Sequence, residues 1–285
     1  MIRYEGTLYR PPSEADSLIL QATIGCSYND CTFCGMYLEK KFRVRKIDEL
    51  KAEIEWAKRE APWVRKVFLA DGDALMARAS YLGELCDELN EAFPKLRRIS
   101  VYASPQSLQV RTVAEMKDLR ERGLTQYYIG VESGHDPTLE RLKKGVTADE
   151  WADAADKANQ AGVKLSAMIL LGAGGPEDSV AHATASAELV NRIQPRFLST
   201  LVMTPHPGTK LAEEFEAGIW RESTQSQLSR ELYLFLEQLD LRGTIFRSNH
   251  VSNLDVLAGT LPKDHQALLD SVRKLAARRG MAFEV

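Results

Sequence analysis

Three of the four cysteines in this 285-residue chain lie within nine positions of one another. Cys26, Cys31 and Cys34 form the pattern C-x4-C-x2-C in the segment IGCSYNDCTFCGMY. Thiolates are the preferred protein ligands of iron–sulfur clusters, and a [4Fe-4S] cluster usually takes four of them. If no fourth protein ligand is present, one iron keeps an open coordination position. A cluster needs such a position when it must bind a substrate rather than only transfer electrons.

A structural zinc ion is the alternative use of the same cysteines. Zinc sites are tetrahedral, so Cys86 or a histidine would have to supply the fourth ligand. Cys86 lies in the amphipathic segment GELCDEL, where a small buried apolar side chain is the simpler interpretation. The sequence therefore favours a cluster and leaves a zinc-stabilised, non-catalytic binding module on a barrel as the second hypothesis.

Six short apolar runs alternate along the chain with amphipathic stretches, which is the pattern of a parallel β-sheet. The predicted strands cover residues 18–23, 66–70, 99–103, 126–131, 164–171 and 197–203. Six βα units in succession predict an α/β fold, a partial (β/α)6 TIM-like barrel, whose chemistry gathers at the carboxyl ends of the strands. The cysteine segment begins directly after the first predicted strand and is therefore placed at that end.

Helical periodicity fills the intervals between the strands. Ile47, Leu50 and Ile54 fall on one face of the first helix, and Gly123 and Gly162 are placed to end later helices. Beyond residue 208 the alternation stops, residues 223–240 and 262–279 are predicted helices, and the interval 242–253 is polar and aromatic. We therefore predict a barrel over residues 1–214 and a helical C-terminal extension over residues 215–285, packed on the barrel.

Further polar or glycine-containing turns follow the other predicted strands. They are Asp71-Gly72-Asp73 after the second, Ser104 after the third, Gly130-Val131-Glu132-Ser133 after the fourth with Lys144 downstream, Gly172-Ala173-Gly174-Gly175 after the fifth and Pro205 after the sixth. The glycines after the fifth strand lack the Gly-Lys-Ser/Thr of a phosphate-binding P-loop, and a Rossmann fingerprint belongs after a first strand.

With three cysteines after the first strand of an alternating βα chain, the sequence resembles the radical S-adenosylmethionine (SAM) superfamily over about residues 17–208. The spacing has one residue more than the family's commonest pattern, C-x3-C-x2-C. The turn at Gly130–Ser133 and the downstream Lys144 are similar to the coproporphyrinogen-oxidase-like and Elongator-like branch. Only Cys86 remains for further clusters, so the multi-cluster branches are excluded.

This resemblance implies two cofactors, SAM and an oxygen-sensitive [4Fe-4S] cluster on the three cysteines. It also implies reductive cleavage of SAM to a 5′-deoxyadenosyl radical, which abstracts a hydrogen atom from a substrate. The cofactor-binding residues that it implies are Phe33 near the adenine, Gly72 and Asp73 at the methionyl amino group, Ser104, Glu132 at the ribose or amino-acid end, Lys144 at the carboxylate, and Gly172 and Pro205 around the adenine.

Partners are less well specified by the sequence. A net charge of −3 and a pI near 6.0 give no strong nucleic-acid signal, and no apolar run is long enough to cross a membrane. With no signal peptide at its start, the chain is expected to be cytoplasmic. The resemblance implies a low-potential electron donor such as flavodoxin or ferredoxin.

Contacts to a polar small-molecule substrate are predicted for several hydrogen-bonding side chains near the barrel mouth, although the polar interval 242–253 is equally consistent with a loop that holds the extension. No catalytic acid or base is identified. The candidate substrate contacts are Arg43, Arg45, His206, Arg247, Asn249, His250 and Asn253.

Overall fold

The structure, a computed structural model, describes residues 1–281, and this part of the chain contains ten strands and ten α-helices. The strands are β1 (Leu18–Gln21), β2 (Thr23–Ile24), β3 (Arg43–Val44), β4 (Lys66–Ala70), β5 (Arg98–Ala103), β6 (Leu124–Glu132), β7 (Lys164–Leu171), β8 (Phe197–Val202), β9 (Thr244–Ser248) and β10 (Leu257–Leu261). The helices are α1 (Ile47–Glu60), α2 (Ala79–Ala92), α3 (Pro105–Val110), α4 (Val113–Glu121), α5 (Asp136–Arg141), α6 (Ala148–Gln160), α7 (Gly175–Ile193), α8 (Lys210–Glu216), α9 (Gln225–Glu237) and α10 (His265–Arg278).

The chain divides into two compact units. The first unit contains Met1–Asn29, Met36–Ile129 and Ala154–Leu165, and the second contains Asp30–Gly35, Gly130–Asp153 and the chain from Ser166 onward. The division assigns Cys26 to the first unit and Cys31 and Cys34 to the second.

In the first unit, β1, β4, β5 and β6 pair in that order as parallel strands. Their inward residues, such as Leu20, Leu69 and Val101, are fully buried, because a parallel strand is covered on both faces. A separate antiparallel pair, β2 with β3, flanks the cysteine segment. All four predicted strands of this unit are confirmed to within two residues at their ends.

In the second unit, β7 pairs in parallel with β8, β8 pairs in parallel with β9, and β10 is added antiparallel to β9. An apolar cluster of Leu142, Leu170, Ala173, Met203, Leu211 and Trp220 forms part of the core of this unit. The predicted fifth and sixth strands are confirmed as β7 and β8.

The predicted helices are also observed. Leu50 and Ile54 are buried on α1, and Thr112 caps α4 with a reciprocal bond to Glu115, as the pattern Thr-x-x-Glu favours. Gly123 and Gly162 end their helices at φ values of +99° and +73°, a conformation that disfavours side chains other than hydrogen. Among residues 1–281, no helix combines the length and the apolar composition required to cross a membrane.

The C-terminal extension is not entirely helical. Both of its predicted helices are found, as α9 and α10, but the polar interval between them contributes the strand β9, and β10 follows it. Thr244 and Ser248 are buried on β9 while Arg247 points to solvent. Two of the three inward positions carry hydroxyls and only Phe246 between them is apolar, so the period of two was hidden in the sequence.

Gly134 tests the packing of the second unit. A Cβ at this position would lie 2.1 Å from the carbonyl oxygen of Ala185 on α7, and a backbone atom cannot move aside as a side chain can. We expect Gly134→Ala to lower the free energy of unfolding by about 3 kcal/mol.

The matched control is Gly83→Ala in α2, where the nearest atom, in the side chain of Arg122, would be 3.6 Å away. This change is expected to raise the free energy of unfolding by up to about 1 kcal/mol, because alanine favours the helix. Urea unfolding of both variants measures the two effects. Equal midpoints for Gly134→Ala and the wild type would refute the packing described for Gly134.

Candidate active site

Asp73 organises the polar groups at the end of β4 in the first unit. Its carboxylate is fully buried and accepts hydrogen bonds from the Ser27 hydroxyl at 2.5 Å and the Ser104 hydroxyl at 2.7 Å. The Ser104 N–H donates to the same carboxylate at 3.1 Å, and Ser104 also begins α3 as its N-cap. Asp73 and Ser104, predicted separately, are therefore brought together with Ser27, the neighbour of Cys26.

A second buried carboxylate, Asp71, fixes the two ends of the segment that carries Cys26. Its Oδ2 accepts from the Gly25 N–H at 3.1 Å, the Gln21 amide at 3.2 Å and the Lys40 ammonium at 2.8 Å. Both members of the Lys40–Asp71 ion pair are removed from solvent. Because a buried charge requires compensation by a partner, this pair is a strong constraint on the loop.

Gly72 allows the closest backbone approach in this region. A Cβ at Gly72 would lie 2.6 Å from the Tyr37 ring and 2.9 Å from Cys26 Cβ. The Gly72 N–H donates to the carbonyl of Gly25 at 3.1 Å. The end of β4 therefore lies directly against the half-buried Cys26, and only glycine fits between them.

In the second unit, the segment with Cys31 and Cys34 is held through Thr32, one of the two residues between them. The Thr32 N–H donates to the carbonyl of Leu142 at 3.0 Å, and the Thr32 carbonyl accepts from the Leu211 N–H at 2.9 Å. A turn brings the Cys34 N–H to the Cys31 carbonyl at 3.3 Å. Both cysteines are half-buried, and a cysteine binds a metal through its thiolate.

Glu132 and Lys144 form a buried ion pair close to these thiols. Lys144 Nζ donates to Glu132 Oε1 at 3.0 Å, whereas Glu132 Oε2 has no hydrogen-bond partner among the described residues. Burial disfavours the ammonium, but Glu132 and the negative charge of Cys31 and Cys34 together raise the pKa of Lys144 above its usual value. Glu132 has a φ of +67°, which turns the chain at the end of β6.

Two of the predicted adenine contacts, Gly172 and Pro205, follow the strands β7 and β8. Gly172 directly follows β7 in the left-handed region at φ +79°, and Pro205 lies half-buried after β8. Phe33 is partly buried against the apolar cluster that includes Leu170 and Met203. A Cβ at Gly35 would lie 2.6 Å from Nδ1 of His206, so this exposed imidazole lies beside the residue that follows Cys34.

Several candidate substrate residues already have protein partners. Arg45 is buried and binds the Glu53 carboxylate at 3.0 Å and 3.1 Å, and Arg43 pairs with Glu5. Asn253 donates to the Thr200 carbonyl at 2.7 Å, and the exposed His250 bonds to Ser252. In this structure Arg45 and Asn253 therefore support their own segments. Arg247 is exposed and donates to the Phe246 carbonyl at 2.7 Å, and Asn249 is also exposed.

The donor set in the second unit fits the implied cofactors. Cys31 and Cys34 can supply thiolates. Glu132 Oε2, which has no hydrogen-bond partner within residues 1–281, can accept from an amino or hydroxyl group. Lys144 can bind a carboxylate. Within residues 1–281, no group of three or more His, Cys, Asp or Glu side chains is arranged to hold a single metal ion.

Comparison with known proteins decides the family. The model of the radical SAM superfamily matches residues 20–186, which is more than half of the chain. The chain belongs to the radical SAM superfamily. The resemblance drawn from the sequence is thereby confirmed, and this radical SAM protein is an enzyme of SAM-cleaving radical chemistry.

Individual relatives of the radical SAM enzyme are distant. An uncharacterized protein of Methanocaldococcus jannaschii is 23% identical over 226 residues, covering 76% of this chain and 69% of the relative. The solved structure of methylornithine synthase has a TM-score of 0.56 at 17% identity, covering 94% of this chain and 83% of that one. Coproporphyrinogen III oxidase from Escherichia coli has a TM-score of 0.51 at 14% identity, covering 93% and 52%.

These likenesses show the fold and confirm the predicted α/β class of partial TIM-like barrel. The chain spans about half the length of the coproporphyrinogen oxidase.

Sequence reasoning missed several residues that shape the site. Asp71 was read only as part of a turn, and Lys40 carried no signal because a lysine after a cysteine segment is common on surfaces. Glu231 did carry a signal, since it interrupts the apolar stripe of α9 between Leu228 and Leu232. An acidic residue on the buried face of an amphipathic helix points to a specific polar partner.

The buried Glu231 and His182 make the stability of this radical SAM enzyme depend on pH in opposite directions. Burial raises the pKa of Glu231 to about 7, and burial lowers the pKa of His182 to about 4. As pH rises from about 4.5 to 7, the unfolded chain ionises at Glu231 before the folded protein does, so stability is lost. Over about pH 4 to 6.5 the unfolded histidine gives up its proton, so stability is gained.

Glu231→Gln removes the pH dependence that Glu231 contributes to stability and keeps that of His182. We expect the stability of the variant relative to the wild type to rise by about 3 kcal/mol between pH 4.5 and 8, because only the wild type buries an ionising carboxyl. Urea unfolding of both proteins across this range measures the difference. A constant difference would show that Glu231 does not titrate in this window.

Proposed function

We propose that this enzyme binds one [4Fe-4S] cluster through Cys26, Cys31 and Cys34, cleaves SAM reductively, and abstracts a hydrogen atom from a polar small-molecule substrate. One observation carries the proposal. In the second unit, the buried Lys144 donates to Glu132 Oε1 at 3.0 Å, and the thiolate forms of Cys31 and Cys34 further favour its charge. Within residues 1–281, the buried Glu132 Oε2 has no hydrogen-bond partner. An amino acid with its amino and carboxylate groups matches this arrangement of charges.

Each protein group then has a defined role. The three thiolates bind iron, Lys144 binds the carboxylate of the methionyl moiety, and the free oxygen of Glu132 accepts from the amino group or a ribose hydroxyl. When bound, the reduced cluster and SAM supply methionine and a 5′-deoxyadenosyl radical, which takes a hydrogen atom from the substrate.

The remaining predicted residues shape the cofactor site in this proposal. Gly72 allows close backbone approach beside Cys26, and Asp73 holds Ser104 and Ser27 in place. Phe33, Gly172 and Pro205 line the adenine. Five of the candidate substrate residues are exposed, namely Arg43, His206, Arg247, Asn249 and His250.

A low-potential electron donor such as flavodoxin or ferredoxin and a cytoplasmic location belong to the same proposal. Reduction of a sulfonium requires an electron at low potential, which such carriers supply.

Anaerobic reconstitution with iron and sulfide tests the proposal. Protein reconstituted in this way should contain about four irons per chain, and dithionite should then release equal amounts of 5′-deoxyadenosine and methionine from SAM. Protein that binds zinc, takes up no iron and leaves SAM intact would support the zinc-stabilised module instead. Metal analysis and chromatography of the products distinguish the two results.

A further inference from the structure

Helix α9 of the C-terminal extension buries a carboxyl group. Glu231 is 1% exposed and lies in the apolar stripe formed by Leu228, Leu232 and Phe235. Removal of a carboxylate from water is costly unless its oxygens accept hydrogen bonds. An apolar residue at this position would fill the same space without that cost. The buried carboxyl group of Glu231 therefore indicates specific hydrogen-bond partners.

Both oxygens of Glu231 bind groups of the turn and helix that follow β7. Oε1 accepts from the Gly172 N–H at 2.6 Å, and Oε2 accepts from the Ser179 hydroxyl on α7 at 2.5 Å. Gly172 is in the left-handed region, and a Cβ on it would lie 3.1 Å from Leu228, one turn before Glu231 on α9. Helix α9 therefore fixes both the position and the orientation of the Gly172 peptide.

His182 on α7 connects this turn to the end of β6. Its Nε2–H donates to the Leu170 carbonyl at 3.0 Å, so its Nδ1 accepts from the Ser133 hydroxyl at 2.8 Å. Ser133 follows Glu132 directly. Nε2 is 3.6 Å from Glu231 Oε1, which is too far for a hydrogen bond, so His182 and Glu231 contact the turn through separate groups.

The geometry points to Glu231 as a positioning residue that holds the Gly172 turn in the conformation that binds SAM. The inference rests on the proposed function, in which Gly172 lies at the adenine. It gives the C-terminal extension a specific task, because no residue before α9 supplies the acceptor for the Gly172 N–H in this structure. Glu231 itself does not touch the cofactor in this account.

Loss of the Glu231 carboxylate should weaken the binding of SAM, because fewer molecules then hold the Gly172 turn in the conformation that binds SAM. In Glu231→Ala the buried Gly172 N–H has no partner, and the turn gains stability by rotating this peptide toward another acceptor. SAM then binds only the fraction of molecules that keep the original turn, so the apparent Kd rises by the inverse of that fraction. We expect a rise of about tenfold or more.

The experiment compares three variants. Glu231→Ala removes the acceptor, Glu231→Gln keeps a carbonyl oxygen for the Gly172 N–H, and Glu237→Gln changes an exposed acid on the same helix. The Kd for SAM is measured on reconstituted protein, and the Kd for 5′-deoxyadenosine on cluster-free protein. Amide hydrogen exchange of the peptide around Gly172 reports the turn itself.

Glu231→Ala should raise both Kd values and speed amide exchange at Gly172. In Glu231→Gln both Kd values should remain within about threefold of those of the wild type. In Glu237→Gln they should equal those of the wild type. The same Kd values for Glu231→Ala and the wild type would overturn the inference. If Glu231→Ala does not fold, Ser179→Ala replaces it, because this change releases only Oε2 of Glu231. The Kd for SAM should then rise by a smaller factor. An unchanged Kd in Ser179→Ala would contradict the inference.

Failure of the proposed function would look different. Wild-type protein would then bind neither a cluster nor SAM. If only the inference about Glu231 is wrong, the wild type binds and cleaves SAM, and Glu231→Ala binds SAM with the same Kd. The cluster's electron paramagnetic resonance signal without SAM should be the same in all variants, because no bond of Glu231 reaches a cysteine.

Discussion

Single replacement of Cys26, Cys31 or Cys34 by alanine is expected to abolish the iron–sulfur cluster and with it all cleavage of SAM. Each thiolate would bind a different iron, so the loss of any one opens a second iron to solvent and hydrolysis. Reconstituted variants should lack the brown absorption of the wild type and release no 5′-deoxyadenosine above background. Iron and sulfide content and the cleavage assay measure both effects on the same sample.

Cys86→Ala is the matched control for these variants. Cys86 is fully buried in α2, and burial raises the pKa of its thiol to about 12, so it stays protonated and is a poor ligand. The variant should keep its cluster and its activity and lose about 1 kcal/mol of stability to the small cavity. Loss of metal in Cys86→Ala would instead identify Cys86 as a fourth ligand and contradict the open iron.

Lys144→Met is expected to have the second largest effect. The change leaves the Glu132 carboxylate buried at 3% exposure without its counter-ion, which should cost about 3–5 kcal/mol of stability. It also removes the group proposed to bind the carboxylate of SAM, so the Kd for SAM should rise about a hundredfold or more. Urea unfolding and titration of reconstituted protein with SAM measure the two consequences.

The double variant Lys144→Met with Glu132→Gln separates stability from binding. Removal of both charges together should restore much of the stability, since a neutral pair needs no counter-ion. It should not restore the affinity for SAM, because neither side chain then carries a charge that pairs with the carboxylate or the amino group of SAM. Recovery of SAM binding in the double variant would show that the pair has only a structural role.

The sequence specified the parallel strands well because their signal is local. Lys66–Ala70 and Lys164–Leu171 are apolar runs bounded by turns, and a strand covered on both faces requires this composition. The residues that follow these strands were located for the same reason. Glu132 and Lys144, twelve positions apart, were predicted on the strength of the family resemblance, and the structure joins them in one ion pair.

Contacts between distant positions were beyond reach of the sequence alone. Lys40 meets Asp71 across 31 residues and Glu231 meets Gly172 across 59, and neither separation follows from a helical or strand period. The strand β9 was missed because Thr244 and Ser248 occupy buried positions where apolar residues are expected. In each case a buried polar group has a partner that only the folded chain brings near.

In the proposed site, three thiolates leave one iron open for SAM. The most direct test of this open iron is electron–nuclear double resonance of the reduced, reconstituted wild-type protein with SAM labelled by ¹⁷O in the carboxylate. We expect a hyperfine coupling from the label to the cluster, which disappears when unlabelled SAM is used. A reduced [4Fe-4S] cluster that shows no coupling to the labelled carboxylate, with SAM demonstrably bound, would contradict the proposed site.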